Sequence, residues 1–327
     1  MIELKGKEKV VSVPNEAPKN PLVSVLVQTY NHEKYISKCL DGILSQRTDF
    51  EFEILVGEDE SSDSTREICL EYAKRNPEKI RLFLHSRANV IYVSNNPTGR
   101  YNLLFNLEHA NGKYIALCEG DDYWIDNFKL QKQIDFLNKN ADFSFCFHRA
   151  NVLRENSGII IKGSRGERLN KKYKTKDVIL HLPVYTNSLV FKNELDLPDW
   201  FLKIYAGDKF MVLLISLEGF GYCLPDYMAV YRVHEKNITH TWAKKNQFNE
   251  LKKNIESIDF FDDYTDGKYA EYVRKYKKML ISNYALANEK KKFINAYLQI
   301  KHYSNFQSRS FISLKNLIIK LLKVLRT

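Results

Sequence analysis

Lys113-Tyr-Ile-Ala-Leu-Cys-Glu-Gly-Asp-Asp-Tyr-Trp124 sets an apolar run directly against three carboxylates, Glu119, Asp121 and Asp122. The apolar part, Lys113–Leu117, is too short for a helix and reads as a buried strand, so the acids mark the place where that strand ends. Like charges this close repel one another unless something positive lies between them. A divalent cation holding a phosphate answers that need, because hard ions such as Mg²⁺ take one or two carboxylates plus phosphate oxygens. The plainer reading is an acidic turn that opens the next helix, and the stretch by itself leaves both open.

Working outward, similar units recur on the N-terminal side. Leu22-Val-Ser-Val-Leu-Val27 and Phe52-Glu-Ile-Leu-Val56 have the near-continuous apolar character of strands buried on both faces. Ile80–Leu84 is a further strand and Asp142–Phe147 closes the series. Between them, Glu33–Gln46 places Tyr35, Ile36, Cys39, Leu40, Ile43 and Leu44 on one helical stripe. Ser64-Thr-Arg-Glu67 has the form of a capping box for a helix to about Arg75. Helices are also expected over about Thr98–His109 and Asp126–Asn138. Strands alternating with helices predict an α/β fold with a mostly parallel sheet flanked by helices on both faces. After His148 the pattern is irregular: Gly158–Gly166 reads as a mobile loop, Val178–Leu182, Thr186–Phe191 and Asp208–Leu217 as short elements, and Tyr227–Val233 as a strand. The expected organisation is a polar lead-in over 1–20, a first half over 21–150, a second half of the same domain over 151–241, and a basic helical extension over 242–327.

The chain has 327 residues, 44% hydrophobic and 28% charged, which suits a globular protein with a substantial core. Its net charge of +10 sits entirely in the last part: residues 241–327 hold 18 Lys and Arg against 8 Asp and Glu, and the remainder is balanced. That tail calls for an anionic partner, but no nucleic-acid-binding module accompanies it, so nucleic acid is not the expected one. Five scattered cysteines without a C-x-x-C pair support neither a zinc site nor a disulfide framework and fit buried thiols in a reducing cytoplasm. The N-terminus lacks the apolar core of a signal peptide, and no stretch approaches the ~20 apolar residues of a membrane span.

In open α/β sheets, ligands bind beyond the carboxyl ends of the strands. Three polar clusters stand there: Gln28-Thr-Tyr-Asn-His32, Glu58-Asp-Glu-Ser-Ser-Asp63 and Glu119–Asp122. The turn after the first strand, Thr29-Tyr-Asn-His-Glu33, has no glycine, and no G-x-x-x-x-G-K-[ST] loop exists. Both common ways of cradling phosphates with backbone N–H groups are therefore missing, which leaves a carboxylate-bound metal.

Over about residues 21–240 the chain resembles the family-2 glycosyltransferases, inverting enzymes of the GT-A fold. The matching text is Val23-Ser-Val-Leu-Val-Gln-Thr-Tyr-Asn31, Glu53-Ile-Leu-Val-Gly-Glu-Asp-Glu-Ser-Ser-Asp-Ser-Thr65 and Gly112-Lys-Tyr-Ile-Ala-Leu-Cys-Glu-Gly-Asp-Asp122. The resemblance implies a GT-A-like domain and a nucleoside-diphosphate sugar donor, in most relatives a uridine one. It places Thr29, Tyr30 and Asn31 in the nucleotide pocket, Asp59 on the base with Glu58 beside it, and Arg100 as a weak echo of a phosphate-binding arginine, a solvated helix charge being its plainer role. Glu119-Gly120-Asp121 takes the D-x-D position, with Asp121 the main ligand of Mn²⁺ or Mg²⁺ and Asp122 in the donor site; glutamate at 119 departs from the pattern, as Glu58 does in the nucleotide motif. Tyr231-Arg-Val-His234 resembles an element in which the histidine ligates the metal and the arginine meets phosphate. Tyr123-Trp124 would shape a sugar pocket or simply pack.

An inverting displacement needs one carboxylate within hydrogen-bond reach of the acceptor hydroxyl, opposite the leaving diphosphate. Gly207-Asp208, before an apolar helix, resembles the family's catalytic acid position, and Asp199 and Asp226 are the alternatives. Residues 311–327 form a basic amphipathic pattern, with Lys315, Lys320, Lys323 and Arg326 on one arc, suited either to an anionic inner membrane face or to a packed or dimer-forming helix. The expected function is transfer of a hexose or N-acetylhexosamine to a surface-glycan acceptor, lipid-linked or oligosaccharide, by a cytoplasmic, peripherally attached enzyme. The competing expectation is a non-catalytic, sugar-binding or assembly relative.

Overall fold

The computed structural model describes residues 4, 6, 8–234 and 247–287. Its strands run in chain order as Val11–Ser12 (β1), Val23–Thr29 (β2), Phe52–Glu58 (β3), Ile80–Leu84 (β4), Ile91–Val93 (β5), Asn96–Thr98 (β6), Tyr114–Leu117 (β7), Tyr123–Trp124 (β8), Phe143–Arg154 (β9), Ile159–Lys162 (β10), Val190–Lys192 (β11) and Phe220–Val233 (β12). The helices are Ile36–Leu44 (α1), Thr65–Arg75 (α2), Arg100–His109 (α3), Lys129–Lys139 (α4), Thr175–Leu180 (α5), Gly207–Ile215 (α6), Gln247–Tyr264 (α7) and Ala270–Ala287 (α8). The chain divides into two compact units, one built from the residues up to Lys203 and from Gly207 through β12, the other from Ile204–Ala206 and α7–α8.

The first unit is a ten-stranded sheet in the order β1-β4-β3-β2-β7-β11-β9-β12-β8, with β10 on the free side of β9. The pairs β4–β3, β3–β2, β2–β7 and β9–β12 are parallel. Strand β11 is antiparallel to both β7 and β9. Two reversals restore the direction, so β9 and β12 run the same way as β2, β3, β4 and β7. All six carboxyl ends consequently open on one edge. The mostly parallel expectation holds, with β11 as a short reversed strand inserted where a continuous parallel series was expected.

The core follows from the apolar runs. Val23, Val25 and Val27 of β2, Ile54 and Val56 of β3 and Ala116 of β7 pack with Ile36, Cys39, Leu40 and Ile43, the expected stripe of α1. All five cysteines are buried and free. Ser24 and Glu53, polar positions in otherwise apolar strands, are satisfied together: Ser24 Oγ donates to Glu53 at 2.6 Å and Arg81 pairs with the same carboxylate at 2.8 Å.

Three local expectations change. Ser64 makes no capping hydrogen bond at the start of α2; Asp63 instead accepts from the Thr65 N–H at 3.0 Å and from its hydroxyl. The segment Gly158–Gly166 is not a loop throughout, because Ile159–Lys162 pairs antiparallel with Asn151–Arg154 as an arm. The strand expected at Asp142–Phe147 continues to Arg154, since neighbours on both sides supply hydrogen bonds past the end of its apolar run. Strand β12 slips register between Leu224 and Ala229, where Pro225 interrupts the ladder, as proline does at bulges.

In the second unit, α7 and α8 are joined through Asp266 and Gly267, both at positive φ. Leu251, Ile255, Ile258 and Phe261 fall at helical spacing on the buried side of α7, which packs on α8, where Val273, Tyr276 and Ile281 are buried. Among the described residues no helix is long and apolar enough to cross a membrane. The basic amphipathic pattern of 311–327 lies outside the described residues.

Candidate functional site

The three polar clusters named from the sequence meet at the carboxyl edge of the sheet and are stitched together there. Cys118 N–H donates to Leu26 O at 3.1 Å and Gly120 N–H to Gln28 O at 3.0 Å, which lays the acidic stretch along the end of β2. Asp59 N–H donates to Thr29 O at 3.1 Å, bringing the end of β3 alongside. Asn31, at φ 55°, donates its N–H to Ser61 Oγ at 2.9 Å and accepts the Ser62 N–H at 2.9 Å. This close approach explains Gly120: a Cβ there would stand 2.7 Å from Thr29 Oγ1 and 2.9 Å from His32 Nδ1.

Each acid of the stretch has a different environment. Asp121 Oδ2 lies 3.0 Å from His234 Nε2, which is carried past the end of β12 onto the same edge. Burial opposes the charge of Asp121, but the hydrogen bond from His234 and the nearby His32 outweigh it and hold its carboxyl below the usual range. Asp122 Oδ1 accepts the Arg232 N–H at 2.8 Å, tying the stretch to β12. Burial and the charges of Asp121 and Glu119 push the Asp122 carboxyl well upward. Glu119 is driven up to about 8, first by burial and then by Asp121, with Asp208 adding to the rise and Arg165 opposing it. Its Oε2 is buried and has no hydrogen-bond partner among the described residues.

Asp208 stands exposed in the first turn of α6, and its charge acts on Glu119, so the second half of the unit delivers a carboxylate to the acidic edge. Arg100 is not a solvated charge. Its guanidinium is buried, donates to Leu202 O at 3.1 Å and lies over the Phe201 ring, because α3 starts against the α6 entrance. Burial lowers it to about 10, with Asp208 pulling the other way. Asp199 and Asp226 are both exposed, and Asp226 pairs with Lys132 at 3.3 Å.

On the nucleotide side, Asp59 is buried with Arg87 4.0 Å away, and Arg87 lies over the Tyr30 ring at 4.1 Å. Burial raises the Asp59 carboxyl to about 7, with Arg87 and a hydrogen bond from Asn102 opposing the rise. Glu58 is fully buried in a different role: it accepts the Ser61 N–H at 2.7 Å and pairs with Arg66, whose other nitrogen donates to His85 O. Its carboxylate braces the loop. Trp124 is likewise a packing residue, with Nε1 donating to Asn187 O at 2.9 Å, whereas the Tyr123 ring lies beside Arg232.

Four residues that sequence reasoning gave no role belong to this edge. Tyr35 stacks near His234 at 5.0 Å between centroids, with Arg232 over its ring at 4.9 Å. His32 contacts Thr29 Oγ1 at 3.2 Å. Arg87 and Arg165 supply positive charge from the two flanks. His32 stood inside the first polar cluster, so its position carried a signal; the other three depend on contacts between distant segments.

Two side chains, Asp121 and His234, converge on one point, and no group of three His, Cys, Asp or Glu among the described residues forms a ready-made cage. That donor set fits Mg²⁺ or Mn²⁺, which are held by few protein ligands together with substrate phosphate oxygens and water. The unpartnered Oε2 of Glu119 is a further acceptor beside it.

The family profile described as Glycosyl transferase family 2 matches residues 24–190. An uncharacterized protein of Mycobacterium tuberculosis is 33% identical over 221 residues, 67% of this chain and 61% of that protein. The chain thus spans about three-fifths of the length of that relative. The UDP-Glc:alpha-D-GlcNAc-diphosphoundecaprenol beta-1,3-glucosyltransferase WfgD of Escherichia coli is 34% identical over 136 residues, 42% of this chain and 48% of that protein. Among solved structures, S. aureus TarS 1–349 in complex with UDP-GlcNAc superposes with a TM-score of 0.63 at 18% identity, covering 85% of this chain and 80% of that one. The mannosyltransferase PcManGT of Pyrobaculum calidifontis, in complex with GDP-Man and Mn²⁺, gives 0.51 at 16% identity, covering 96% and 89%. These two likenesses are likenesses of fold.

Proposed function

Because the chain belongs to glycosyl transferase family 2, we propose that it is a metal-dependent, inverting glycosyltransferase. It moves a hexose or N-acetylhexosamine from a uridine-diphosphate sugar to a hydroxyl of a surface-glycan acceptor, lipid-linked or oligosaccharide, on the cytoplasmic side of the membrane. The observation that carries this reading is the pairing of Asp121 with His234 at 3.0 Å, on the edge that also holds Asp59 and lies within electrostatic reach of Asp208.

In this reading Tyr30, Asn31 and Thr29 flank the nucleoside, and the buried Asp59 accepts the imide N–H of the base. Asp121 and His234 hold Mn²⁺ or Mg²⁺, which supplies Lewis-acid stabilisation of charge on the departing diphosphate. Arg232, set between the Tyr35 and Tyr123 rings, adds fixed positive charge on that side. Asp208 is exposed at a helix start and takes the proton from the acceptor hydroxyl as it attacks from the face opposite the diphosphate. One displacement inverts the anomeric centre and turns an α-linked donor into a β-linkage. UDP-glucose in the E. coli relative's name and UDP-GlcNAc in the S. aureus complex support the choice of uridine.

The test is turnover of nucleotide sugars with and without Mn²⁺ or Mg²⁺, in the full chain and in Asp121→Ala and Asp208→Asn. Metal-dependent turnover that falls by about 10²–10⁴ in the Asp208 variant, while nucleotide binding survives, is the expected result. Retained turnover in both variants refutes the assignment. Binding without turnover of any nucleotide sugar in the unaltered chain favours a non-catalytic member.

A further inference from the structure

Strand β10 carries three consecutive isoleucines, Ile159, Ile160 and Ile161, exposed by 55%, 55% and 43%. Neighbouring residues of a strand point to opposite faces. Comparable exposure of all three therefore means that this edge arm, β10, is open to solvent on both faces, while its partner Asn151–Arg154 is held on the other side by β12. Such a run is a liability on a free edge strand unless something covers it. Two cations border it: Arg154, opposite Ile159 in the ladder, and Lys162, at the end of the strand, are exposed and form no ion pair among the described residues. The acids nearby are already engaged, Glu155 by the Tyr35 hydroxyl at 2.6 Å and Glu167 by Arg149 at 3.0 Å.

We propose that this arm is a membrane-docking element: its isoleucines enter the interface of an anionic bilayer while Arg154 and Lys162 meet lipid phosphates. An apolar surface bordered by cations, settling about 5–10 Å into the headgroup boundary, is the arrangement used by interfacial amphipathic segments. A second copy of the chain is the poorer occupant. Pairing along the β10 edge would satisfy backbone groups but leave isoleucines exposed on both faces, whereas a bilayer interface surrounds them.

The position of the arm gives the contact a consequence. It rises from the carboxyl end of β9, the edge that bears Asp121 and His234, and Glu155 at its turn is fixed to Tyr35 beside His234. Docking through the arm turns the acidic edge toward the bilayer, where a lipid-linked acceptor lies. That consequence rests on the proposed transferase reading; the docking itself does not.

Sedimentation of the full chain with vesicles of phosphatidylcholine containing about one-third phosphatidylglycerol, without donor or acceptor, tests the docking alone. The triple variant Ile159→Thr, Ile160→Thr, Ile161→Thr keeps β-branched residues, so the arm retains its strand preference, and circular dichroism checks that it folds. The vesicle partition coefficient is expected to fall at least tenfold in this variant, and about fivefold for Lys162→Ala, the equivalent of ~1 kcal/mol per basic residue at such a surface. Equal partition of the folded triple variant and the unaltered chain, or no vesicle binding by either, overturns the proposal. So does light scattering that shows a dimer in the unaltered chain and a monomer in the variant, which makes the arm a self-association surface. Because no substrate is present, loss of docking leaves the transferase assignment untouched.

Discussion

Replacing Lys129 by methionine should stabilise the protein, although it removes a charge and a visible contact. Lys129 opens α4 completely buried, its Nζ 3.9 Å from the centroid of the Trp124 ring and without a hydrogen-bond partner among the described residues. Burial drives its amine from the ordinary 10.5 down to about 7, with the thiols of Cys118 and Cys146 pulling upward. The gap between those values, at 1.36 kcal/mol per pH unit, makes a cost of at most about 5 kcal/mol for keeping the ammonium charged in the core. The contact with the indole returns up to about 2 kcal/mol of it. Methionine fills nearly the same volume and makes its own favourable contact with an aromatic ring. The expected gain is therefore about 3 kcal/mol at pH 7 and below. Its pH dependence fixes the cause. A lysine whose folded value is depressed burdens the native state fully below about pH 7, and the burden lifts as pH rises toward 10.5, where the amine is neutral in both states. Urea denaturation of both proteins at pH 6, 7, 8.5 and 10 should show a difference that is largest at pH 6–7 and shrinks to near zero at pH 10. A variant less stable than the parent at pH 7, or a gain of equal size at pH 7 and 10, refutes the reasoning.

Arg66→Met strands the fully buried Glu58 carboxylate, and because Arg66 is partly exposed the loss should sit near the low end for a broken buried pair, about 3 kcal/mol by chemical denaturation; less than 1 kcal/mol would mean that the brace is unimportant. Gly57→Ala would set a Cβ 1.8 Å from Asn102 Oδ1, whose amide is held by Gly57 O at 2.7 Å, so a loss of about 2–3 kcal/mol is expected, with partial recovery on adding Asn102→Ala. Asp59, raised to about 7 by burial, should bind uridine more tightly at pH 8 than at pH 6, because the ionised carboxylate is a stronger acceptor for the single imide N–H of the base than the neutral acid. Calorimetry with uridine, which has no titrating phosphate, should show that pH step vanish in Asp59→Asn, along with about tenfold in affinity at pH 8. The same substitution should stabilise the free protein at pH 8, since a carboxyl held above its usual value loses stability as pH rises from 3.8 toward 7.

What the chain shows before it folds is mainly what local pattern controls. Strands β2, β3, β4 and β7 are buried on both faces, so their apolar runs end within about two residues of the true strand ends. The polar clusters after them were legible because a parallel sheet puts all such ends on one edge. Features set by distant partners were not. Strand β11 is three residues long and exists because Val190 and Phe191 find β7 on one side and β9 on the other. Past Phe147, β9 turns half-polar because its extension runs between β12 and the solvated edge strand β10, and no apolar alternation announces it. Arg100 reads as a solvated helix charge from its neighbours in sequence, yet Phe201 and Leu202 bury it from 100 residues away. Ser64 loses its capping role to Asp63, a choice made by the loop's path and not by its letters.

The departure at Glu119 becomes intelligible when the three acids are taken together. Three carboxylates within four positions cannot all remain charged in a buried site. The fold separates them by partner: Asp121 keeps its charge against His234, while Asp122 spends an oxygen on the Arg232 backbone and is pushed toward neutrality. Glu119 is left without a hydrogen-bond partner for Oε2, next to Cys118, whose backbone is fixed to β2. An aspartate there would hold its carboxyl about one methylene nearer to the main chain. Gly120, pressed against Thr29 and His32, leaves the loop no freedom to move outward and make up the difference. The longer side chain lets the carboxylate meet its own backbone N–H while Oε2 is left without a partner, with the charges of Asp208 and Arg165 also acting on it. Glu119→Asp should accordingly leave the fold and the Asp121–His234 pair intact and act on substrate handling alone. Unchanged kcat and KM in that variant would show that the extra methylene has no role at this edge.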